Sequence, residues 1–280
     1  MTKTPPPGDY HVHTSLCRHA LGSMESYVDA AVAAGLPELG FNDHFPMFFL
    51  PSNLPLDSYA MSVGEFKGQY LPRVAELRKE RAGEIRVLAG AEVDYYPGTE
   101  ELVKKSVEKY ELDYVYLSVH VLPSPGGAWC IDDERYRHVY EEKSVDAIWR
   151  QYLELLERAV RTGTYDVVAH LDLPKKFRHF PSSPDVVSDV VERLVEALVK
   201  TGTCVEINTS GWRKAVAEQY PSEDLVEILA GAGVGFVLGS DAHRPEEVGH
   251  QFDRAVELLK RQGVDGVVRF SRRKGRVVPL

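Results

Sequence analysis

The segment DYHVHTSLCRHA, residues 9–20, contains the first predicted strand and two histidines at the end of that strand. In residues 9–14, Tyr10 and Val12 alternate with His11 and His13, so the two histidines lie two positions apart. Side chains two apart on a strand share one face, so both imidazoles can point at a single ion. An isolated His-x-His pair is weak by itself, and its meaning depends on the rest of the chain.

The same arrangement, a short apolar strand followed by a helical pattern, recurs along the chain. Further strands are predicted at residues 38–42, 85–93, 114–119, 166–169, 204–208 and 234–239. Helical periodicity follows the successive strands at residues 24–34, 63–81, 99–110, 144–161, 185–200, 222–230 and 245–261. Seven strand–helix units predict an α/β protein whose parallel sheet closes into a TIM-like (β/α)7 barrel, with residues 1–280 as a single domain. Residues 263–280 are expected to be a C-terminal tail or edge segment, with a last strand at 266–270 and a solvated basic run.

Imidazole or carboxylate side chains stand at the ends of six of the seven predicted strands. In chain order they are His11, His13, His44, Glu92, His120, His170, Asp241 and His243. In a parallel barrel these ends meet on one face, where such folds build their active sites. Any one histidine is equally well interpreted as a core or loop residue, but the joint pattern is hard to obtain by coincidence. Imidazole and carboxylate without thiolate favour zinc, iron or manganese in a hydrolytic site of several ions.

The composition is that of an ordinary globular protein. The chain has 280 residues, 44% of them hydrophobic and 27% charged, with a formal net charge of -9. Such a surface repels polyphosphate backbones, so we expect a small-molecule substrate and no nucleic-acid partner. The three cysteines, Cys17, Cys130 and Cys204, lack the spacing of a disulfide framework or a thiolate zinc site. With no apolar signal segment and no long apolar run, the sequence predicts a cytoplasmic protein without a membrane partner.

Six motifs, in this order, resemble those of the PHP (polymerase and histidinol phosphatase) superfamily. They are DYHVHTSLCRHA, FNDH, GAEVDYYPG, YLSVH, VVAHLDL and LGSDAH, spread over residues 9–243. The stretches VVAHLDLPKKF, EINTSGWRK and DYYPG resemble the histidinol-phosphatase branch more specifically. The resemblance implies a distorted seven-stranded (β/α) barrel with a metal site at the C-terminal ends of its strands.

The same resemblance implies two to three divalent transition-metal ions (zinc, iron or manganese) held by nine side chains. The first ion would be bound by His11, His13, Glu92 and Asp241. The second would share Glu92 and add His120 and His170. The third would take His19, His44 and His243. His19, on the loop after the first strand, enters the set only through the resemblance.

The activity that the resemblance implies is hydrolysis of L-histidinol phosphate, a small phosphate ester, in histidine biosynthesis. Water bridging two ions would become hydroxide near neutral pH and attack phosphorus in line, while the metals and a basic side chain neutralise the phosphoryl oxygens. Arg213 and Lys176 are the candidate substrate-binding residues, because both follow strands on the ligand-bearing face. Asp43 could protonate the leaving group or orient a neighbouring ligand.

Three alternatives stay open at this point. A nucleophilic Ser118 or Cys17 would replace the metal mechanism, although neither lies in a GxSxG elbow or a phosphatase-type Cys loop. A related PHP phosphoesterase could act on nucleotides or nucleic-acid ends, against which the acidic charge counts. A non-catalytic barrel could bind a partner or sense metal, but the complete set of nine ligands argues against it.

Overall fold

Strands and helices alternate along residues 7–280, the part of the chain that the computed structural model describes. The strands are β1 (Asp9–Val12), β2 (Glu38–Phe41), β3 (Arg86–Ala89), β4 (Glu92–Asp94), β5 (Tyr116–Ser118), β6 (Val121–Leu122), β7 (Trp129–Cys130), β8 (Val167–Val168), β9 (Cys204–Asn208), β10 (Phe236–Gly239), β11 (Gly266–Ser271) and β12 (Lys274–Pro279). The helices are α1 (Met24–Ala33), α2 (Val63–Glu65), α3 (Leu71–Glu80), α4 (Glu100–Val107), α5 (Val139–Glu142), α6 (Val145–Arg161), α7 (Ser188–Thr201), α8 (Glu223–Gly231) and α9 (Phe252–Arg261). Residues 1–6 of the predicted domain lie outside the described residues.

The parallel strands form a closed barrel from two sheet segments, in the orders β1-β2-β3 and β10-β9-β8-β5-β4. Main-chain hydrogen bonds join the segments at two seams. At one seam the amide of His13 donates to the carbonyl of Ala242 (3.0 Å). At the other, the amide of Glu92 donates to the main-chain carbonyl of Asp43 (3.0 Å), and the amide of Phe45 donates to the main-chain carbonyl of Glu92 (2.7 Å). The predicted (β/α)7 barrel is therefore present, with β3 and β4 sharing one of its seven positions.

The prediction of one continuous strand over residues 85–93 is wrong, because the strand breaks at Gly90 and Ala91. β3 pairs with β2, whereas β4 pairs with β5. A Cβ atom at Gly90 would lie 2.3 Å from the ring of Tyr114, and one at Gly40 would lie 1.9 Å from the Tyr114 hydroxyl. The two glycines therefore leave the room in which this buried tyrosine sits, beside the strand break that precedes Glu92.

The barrel strands have one hydrophobic core on their outer face and another on their inner face. The larger core packs the helices against the outside of the barrel. The smaller core contains no helix residue and fills the inside; its members are Tyr10, Leu88, Tyr114, Tyr116, Val167, Ala169, Cys204, Val237, Val268 and Phe270. Because side chains fill the barrel interior, functional side chains are confined to the C-terminal ends of the strands.

The C-terminal segment is an antiparallel hairpin of β11 and β12 rather than a single edge strand. Its Phe270 joins the inner core, and the Phe270 amide donates to the Tyr10 hydroxyl (3.1 Å). The expectation of a solvated basic run is wrong for Arg273, which pairs with Asp166, and for Arg269, whose Nε lies 3.3 Å from Glu38 Oε1. The hairpin therefore covers the N-terminal end of the barrel, opposite the strand ends that carry the predicted site.

Two predicted helices are interrupted. The helical pattern over residues 63–81 is divided into α2, a wider π-helical turn at Phe66–Tyr70, and α3. The pattern over residues 245–261 begins with a short turn at Pro245–Glu247, and α9 starts only at Phe252. Positive φ angles at Gly249 (67°) and Gln251 (57°) turn the chain between them. Within residues 7–280, the structure contains no helix long and apolar enough to cross a membrane.

Candidate metal centre

His11 in β1 and His13 directly after it turn the same ring nitrogen toward one point, with 3.1 Å between His11 Nε2 and His13 Nε2. His11 Nδ1 lies 2.7 Å from Glu206 Oε1, and His13 Nδ1 lies 3.4 Å from Asp43 Oδ1. A carboxylate acceptor places the proton on Nδ1 and leaves the Nε2 lone pair free. Two such lone pairs repel each other unless a cation contacts both, and two nitrogens bound to one tetrahedral zinc ion lie about 3.3 Å apart.

Glu92, the first residue of β4, stands at the centre of the predicted ligands. Its Oε2 atom lies 3.6 Å from His11 Nε2 and 3.7 Å from His13 Nε2. Its Oε1 atom lies 3.0 Å from His170 Nε2 and 3.6 Å from His120 Nε2. Each carboxylate oxygen thus faces a different pair of imidazoles, which is the arrangement expected of a carboxylate shared by two ions.

Asp241 completes the first predicted group. Its Oδ1 atom lies 3.3 Å from His13 Nε2 and 3.9 Å from His11 Nε2. The residue follows β10 and has a positive φ of 51°, while His170 after β8 has a φ of 22°. Non-glycine residues are uncommon in this region, and strained backbone of this kind clusters at functional sites.

The third predicted group lies beside the first, since the ring centroids of His243 and His13 are 4.1 Å apart. Within the group, the His19 centroid is 4.8 Å from that of His243 and 5.5 Å from that of His44. His19 Nδ1 is hydrogen-bonded to the carbonyl of Cys17 (2.7 Å), and His243 Nδ1 to that of Asp241 (3.0 Å), so both Nε2 atoms are free. Burial, reinforced by the nearby imidazoles, lowers the pKa of His19 to about 4. Its ring is therefore neutral at neutral pH, as metal ligation requires.

His44, predicted as a ligand of the third group, also lies beside Glu92 and His120 of the second group. Its Nδ1 atom lies 2.9 Å from Glu92 Oε2, and its ring centroid is 5.4 Å from that of His120. The geometry between His44 Nδ1 and Glu92 Oε2 is not that of a hydrogen bond, and both atoms are buried without another partner. Buried polar atoms are normally satisfied, and His44, Glu92 and His120 together offer donor atoms that could hold one metal ion.

The charges around the cluster favour a cation at its centre. Burial lowers the pKa of His120, but Asp94 and Glu92 outweigh burial and raise that pKa to about 10. Burial opposes ionisation of Glu92, yet the imidazoles of His44 and His120 hold its pKa well below the usual value. Strongly shifted pKa values in a cleft are typical of functional sites, and this donor set of imidazoles and carboxylates suits divalent transition metals.

An open cavity of about 520 Å³ lies above the cluster. Eight of the nine predicted ligands line it, whereas His11 is completely buried behind them. The segment 45–59 contributes Met47, Leu56, Ser58 and Tyr59 to the cavity wall. The cavity volume is in the range of small-molecule sites.

The three predicted site residues that are not metal ligands, Lys176, Arg213 and Asp43, lie in three different environments. Lys176 lines the cavity, where its Nζ donates to Asp132 Oδ2 (3.0 Å). Arg213 lies outside the cavity lining and donates from Nη2 to the carbonyls of Ser240 (2.9 Å) and Asp241 (3.2 Å). Asp43 is fully buried and accepts hydrogen bonds from the amides of Thr14 (3.0 Å) and His44 (2.8 Å). These contacts favour orientation of neighbouring ligands, rather than proton donation, as the role of Asp43.

Among the acidic residues that contact the cluster or line its cavity, sequence reasoning missed Asp94, Glu206 and Asp132. Asp94 Oδ2 lies 3.1 Å from His120 Nδ1, Glu206 bonds His11, and Asp132 pairs with Lys176. A signal for two of them was present, because Glu206 is a charged residue inside the predicted strand 204–208 and Asp94 directly follows the predicted strand 85–93. Asp132 carried no such signal, since it follows the hairpin of β6 and β7 that the sequence pattern did not predict.

Comparison with known proteins relates almost the whole chain to one group. A sequence model of the PHP domain matches residues 9–210. The chain is 40% identical over 269 residues to a Deinococcus radiodurans protein named "Probable histidinol-phosphatase", covering 95% of this chain and 97% of that protein. It is 28% identical over 267 residues to the histidinol-phosphatase of Bacillus subtilis, covering 89% and 98% of the two chains.

A solved structure shows the same fold. The histidinol phosphate phosphatase of Lactococcus lactis, crystallised in complex with zinc, L-histidinol and phosphate, matches with a TM-score of 0.77 at 21% identity. The match covers 97% of this chain and 99% of that chain. Both chains therefore have the TIM-like barrel architecture over nearly their full length.

Proposed function

Because this chain belongs to the PHP domain family, we propose that it is a histidinol-phosphatase, which hydrolyses L-histidinol phosphate to L-histidinol and phosphate in histidine biosynthesis. The observation that carries the proposal is the convergence of nine imidazole and carboxylate side chains beneath a cavity of about 520 Å³. The 40% identity to the Deinococcus radiodurans protein and the ligands of the Lactococcus lactis structure support the choice of substrate.

The donor set fits two to three divalent transition-metal ions. His11, His13, Glu92 and Asp241 would hold the first ion. Glu92, His120 and His170 would hold the second, and His19, His44 and His243 the third, with His44 also within reach of the second. When bound, such ions activate water as a nucleophile at neutral pH and neutralise charge on the phosphoryl oxygens.

The chain's own residues orient the ligands and the ester. Asp43 holds the Nδ1 side of His13, and Asp94 does the same for His120. Lys176 provides a cation on the cavity wall for the substrate phosphate. Arg213 is the second candidate for binding the substrate phosphate. Its hydrogen bonds to the carbonyls of Ser240 and Asp241 also support a role in holding the main chain of Asp241, a proposed metal ligand.

We also assign the protein to the cytoplasm. The three cysteines, Cys17, Cys130 and Cys204, are free and buried. Unpaired thiols of this kind agree with a reducing compartment.

Steady-state kinetics on a panel of phosphate esters tests the proposed activity. With zinc or manganese present, kcat/KM for L-histidinol phosphate is expected to exceed that for nucleoside monophosphates by about 100-fold or more, a difference of about 2.7 kcal/mol in transition-state binding. Comparable values on both classes would indicate a broad phosphoesterase instead. Metal-loaded protein that hydrolyses neither class would indicate a non-catalytic barrel.

Replacing Lys176 by Met is expected to raise KM for L-histidinol phosphate about 10-fold, with metal content unchanged. A charge-assisted hydrogen bond contributes about 1.5–3 kcal/mol, and the change also leaves Asp132 without its cation beside an anionic substrate. Steady-state kinetics and elemental analysis measure the two quantities. Lys200→Met, an exposed change on α7, is the matched control and should leave KM as in the wild type. An unchanged KM in the Lys176 variant would remove this residue from the substrate site.

A further inference from the structure

Counting β3 and β4 as one barrel position, β9 is the one position within residues 7–280 that carries none of the nine proposed ligands. Its polar side chains are nevertheless buried: Glu206 and Asn208 are 0% exposed, and Ser210, just beyond the strand, is 2% exposed. Burying an ionisable side chain is costly unless its charge is paired. These residues therefore require partners, and their partners lie on the two neighbouring strands and on β1.

Both carboxylate oxygens of Glu206 are used. Oε1 lies 2.7 Å from His11 Nδ1 on β1. Oε2 accepts from the main-chain amide of His170 after β8 (3.2 Å) and from Asn208 Nδ2 (2.9 Å). One carboxylate thus contacts proposed ligands of both the first and the second metal ion.

Asn208 and Ser210 contact a third proposed ligand, Asp241, which follows β10. Ser210 Oγ donates to Asp241 Oδ2 (3.0 Å), and Asn208 Nδ2 lies 3.4 Å from the same atom. His170 and Asp241, the two proposed ligands with positive φ angles, are therefore both held from β9. A residue in a sparsely populated backbone region is strained and persists only where its surroundings hold it there.

The neighbouring strand leaves room for the carboxylate. A Cβ atom at Gly239 of β10 would lie 1.8 Å from Glu206 Oε1 and 2.7 Å from the Cβ of His11. Any side chain at position 239 would displace Glu206 or His11. The sequence thus contains both the buried carboxylate and the gap that accommodates it.

We propose that Glu206 is a positioning residue: its carboxylate holds the proton on His11 Nδ1 and seats the main chain of His170, so that both rings present Nε2 to the metal ions. The inference rests on the proposed function insofar as His11 and His170 are metal ligands. Replacing a group that accepts a hydrogen bond from the Nδ1–H of a metal-ligating histidine often changes metal affinity about 10–100-fold.

Glutamine cannot substitute for this carboxylate, although it has nearly the same shape. With its oxygen facing His11, its NH2 group faces two donors, the His170 amide and Asn208 Nδ2. With its NH2 group facing His11, it favours the tautomer that carries the proton on Nε2, which cannot bind metal. Either orientation therefore weakens the presentation of one ligand without removing volume.

The experiment compares zinc affinity, by competition with a chromogenic chelator, in wild-type protein, Glu206→Gln and the control Glu38→Gln. Glu38 is an equally buried carboxylate, 2% exposed, at the opposite end of the barrel. We expect Glu206→Gln to bind zinc about 10–100-fold more weakly, and Glu38→Gln to bind it as the wild type does. Thermal melts of the metal-free proteins report any general loss of stability.

Wild-type zinc affinity in Glu206→Gln would overturn the inference, as would an equal loss in Glu38→Gln. If Glu206→Gln does not fold, Glu206→Asp keeps the charge but shortens the side chain. It should also bind zinc more weakly, and an unchanged affinity would again overturn the inference. Wild-type protein that binds no zinc would instead refute the proposed function, and this inference with it.

Discussion

Replacing Glu92 by Gln is expected to lower kcat/KM for L-histidinol phosphate by about 10³-fold or more, which corresponds to about 4 kcal/mol of transition-state stabilisation. Each oxygen of Glu92 faces imidazole nitrogens, with 2.9 Å from Oε2 to His44 Nδ1 and 3.0 Å from Oε1 to His170 Nε2. The amide would lose the negative charge and direct an NH2 group at one set of these nitrogens. Steady-state kinetics and elemental analysis should therefore show the loss of activity together with loss of metal.

The matched control for Glu92 is Asp113→Asn. Asp113 is also a buried carboxylate, 6% exposed, but it lies at the far end of the barrel, where it accepts from the Ala89 amide (3.0 Å). This variant should lose stability in a thermal melt while keeping its metal and most of its activity. Wild-type activity in Glu92→Gln would exclude Glu92 as a bridging ligand.

Removing metal with a chelator is expected to abolish phosphatase activity and to lower the melting temperature by about 10 °C. A ligand present at about 1,000 times its dissociation constant stabilises the folded state by about 4 kcal/mol, and each kcal/mol shifts Tm by about 2–4 °C in a protein of this size. The effect should be large here because the cluster buries carboxylates and imidazoles that a cation would pair. Differential scanning calorimetry and activity assays before and after dialysis measure both changes.

Adding back zinc, and in parallel manganese, should restore activity and melting temperature together. The control is the same dialysis with chelator already saturated by zinc, which should change neither quantity. Protein freed of metal that keeps full activity would contradict the mechanism. Elemental analysis of the starting material should give between two and three equivalents.

Much of the architecture follows from local patterns along the chain. Apolar strands alternating with amphipathic helices predict the seven-unit barrel, because strand and helix periods differ and each unit is short. The break at Gly90 and Ala91 could not be predicted, since Gly90 packs against the ring of Tyr114, which lies just before β5 and is distant in the sequence. The sequence predicts only one strand of the C-terminal hairpin for a similar reason, because the burial of the hairpin depends on contacts with Tyr10, Glu38 and Asp166.

The candidate site divides in the same way. Residue type and position at a strand end are local properties, and they suffice to predict that eight imidazole and carboxylate residues meet on one face of the barrel. Which ring nitrogen faces the cluster, and what holds it there, depends on residues far apart in the chain. Glu206 lies 195 positions from the His11 ring that it orients, and only barrel closure brings the two within 2.7 Å. A strand without ligands looks unimportant in the sequence, because hydrogen bonding between neighbouring strands arises only when the chain is folded.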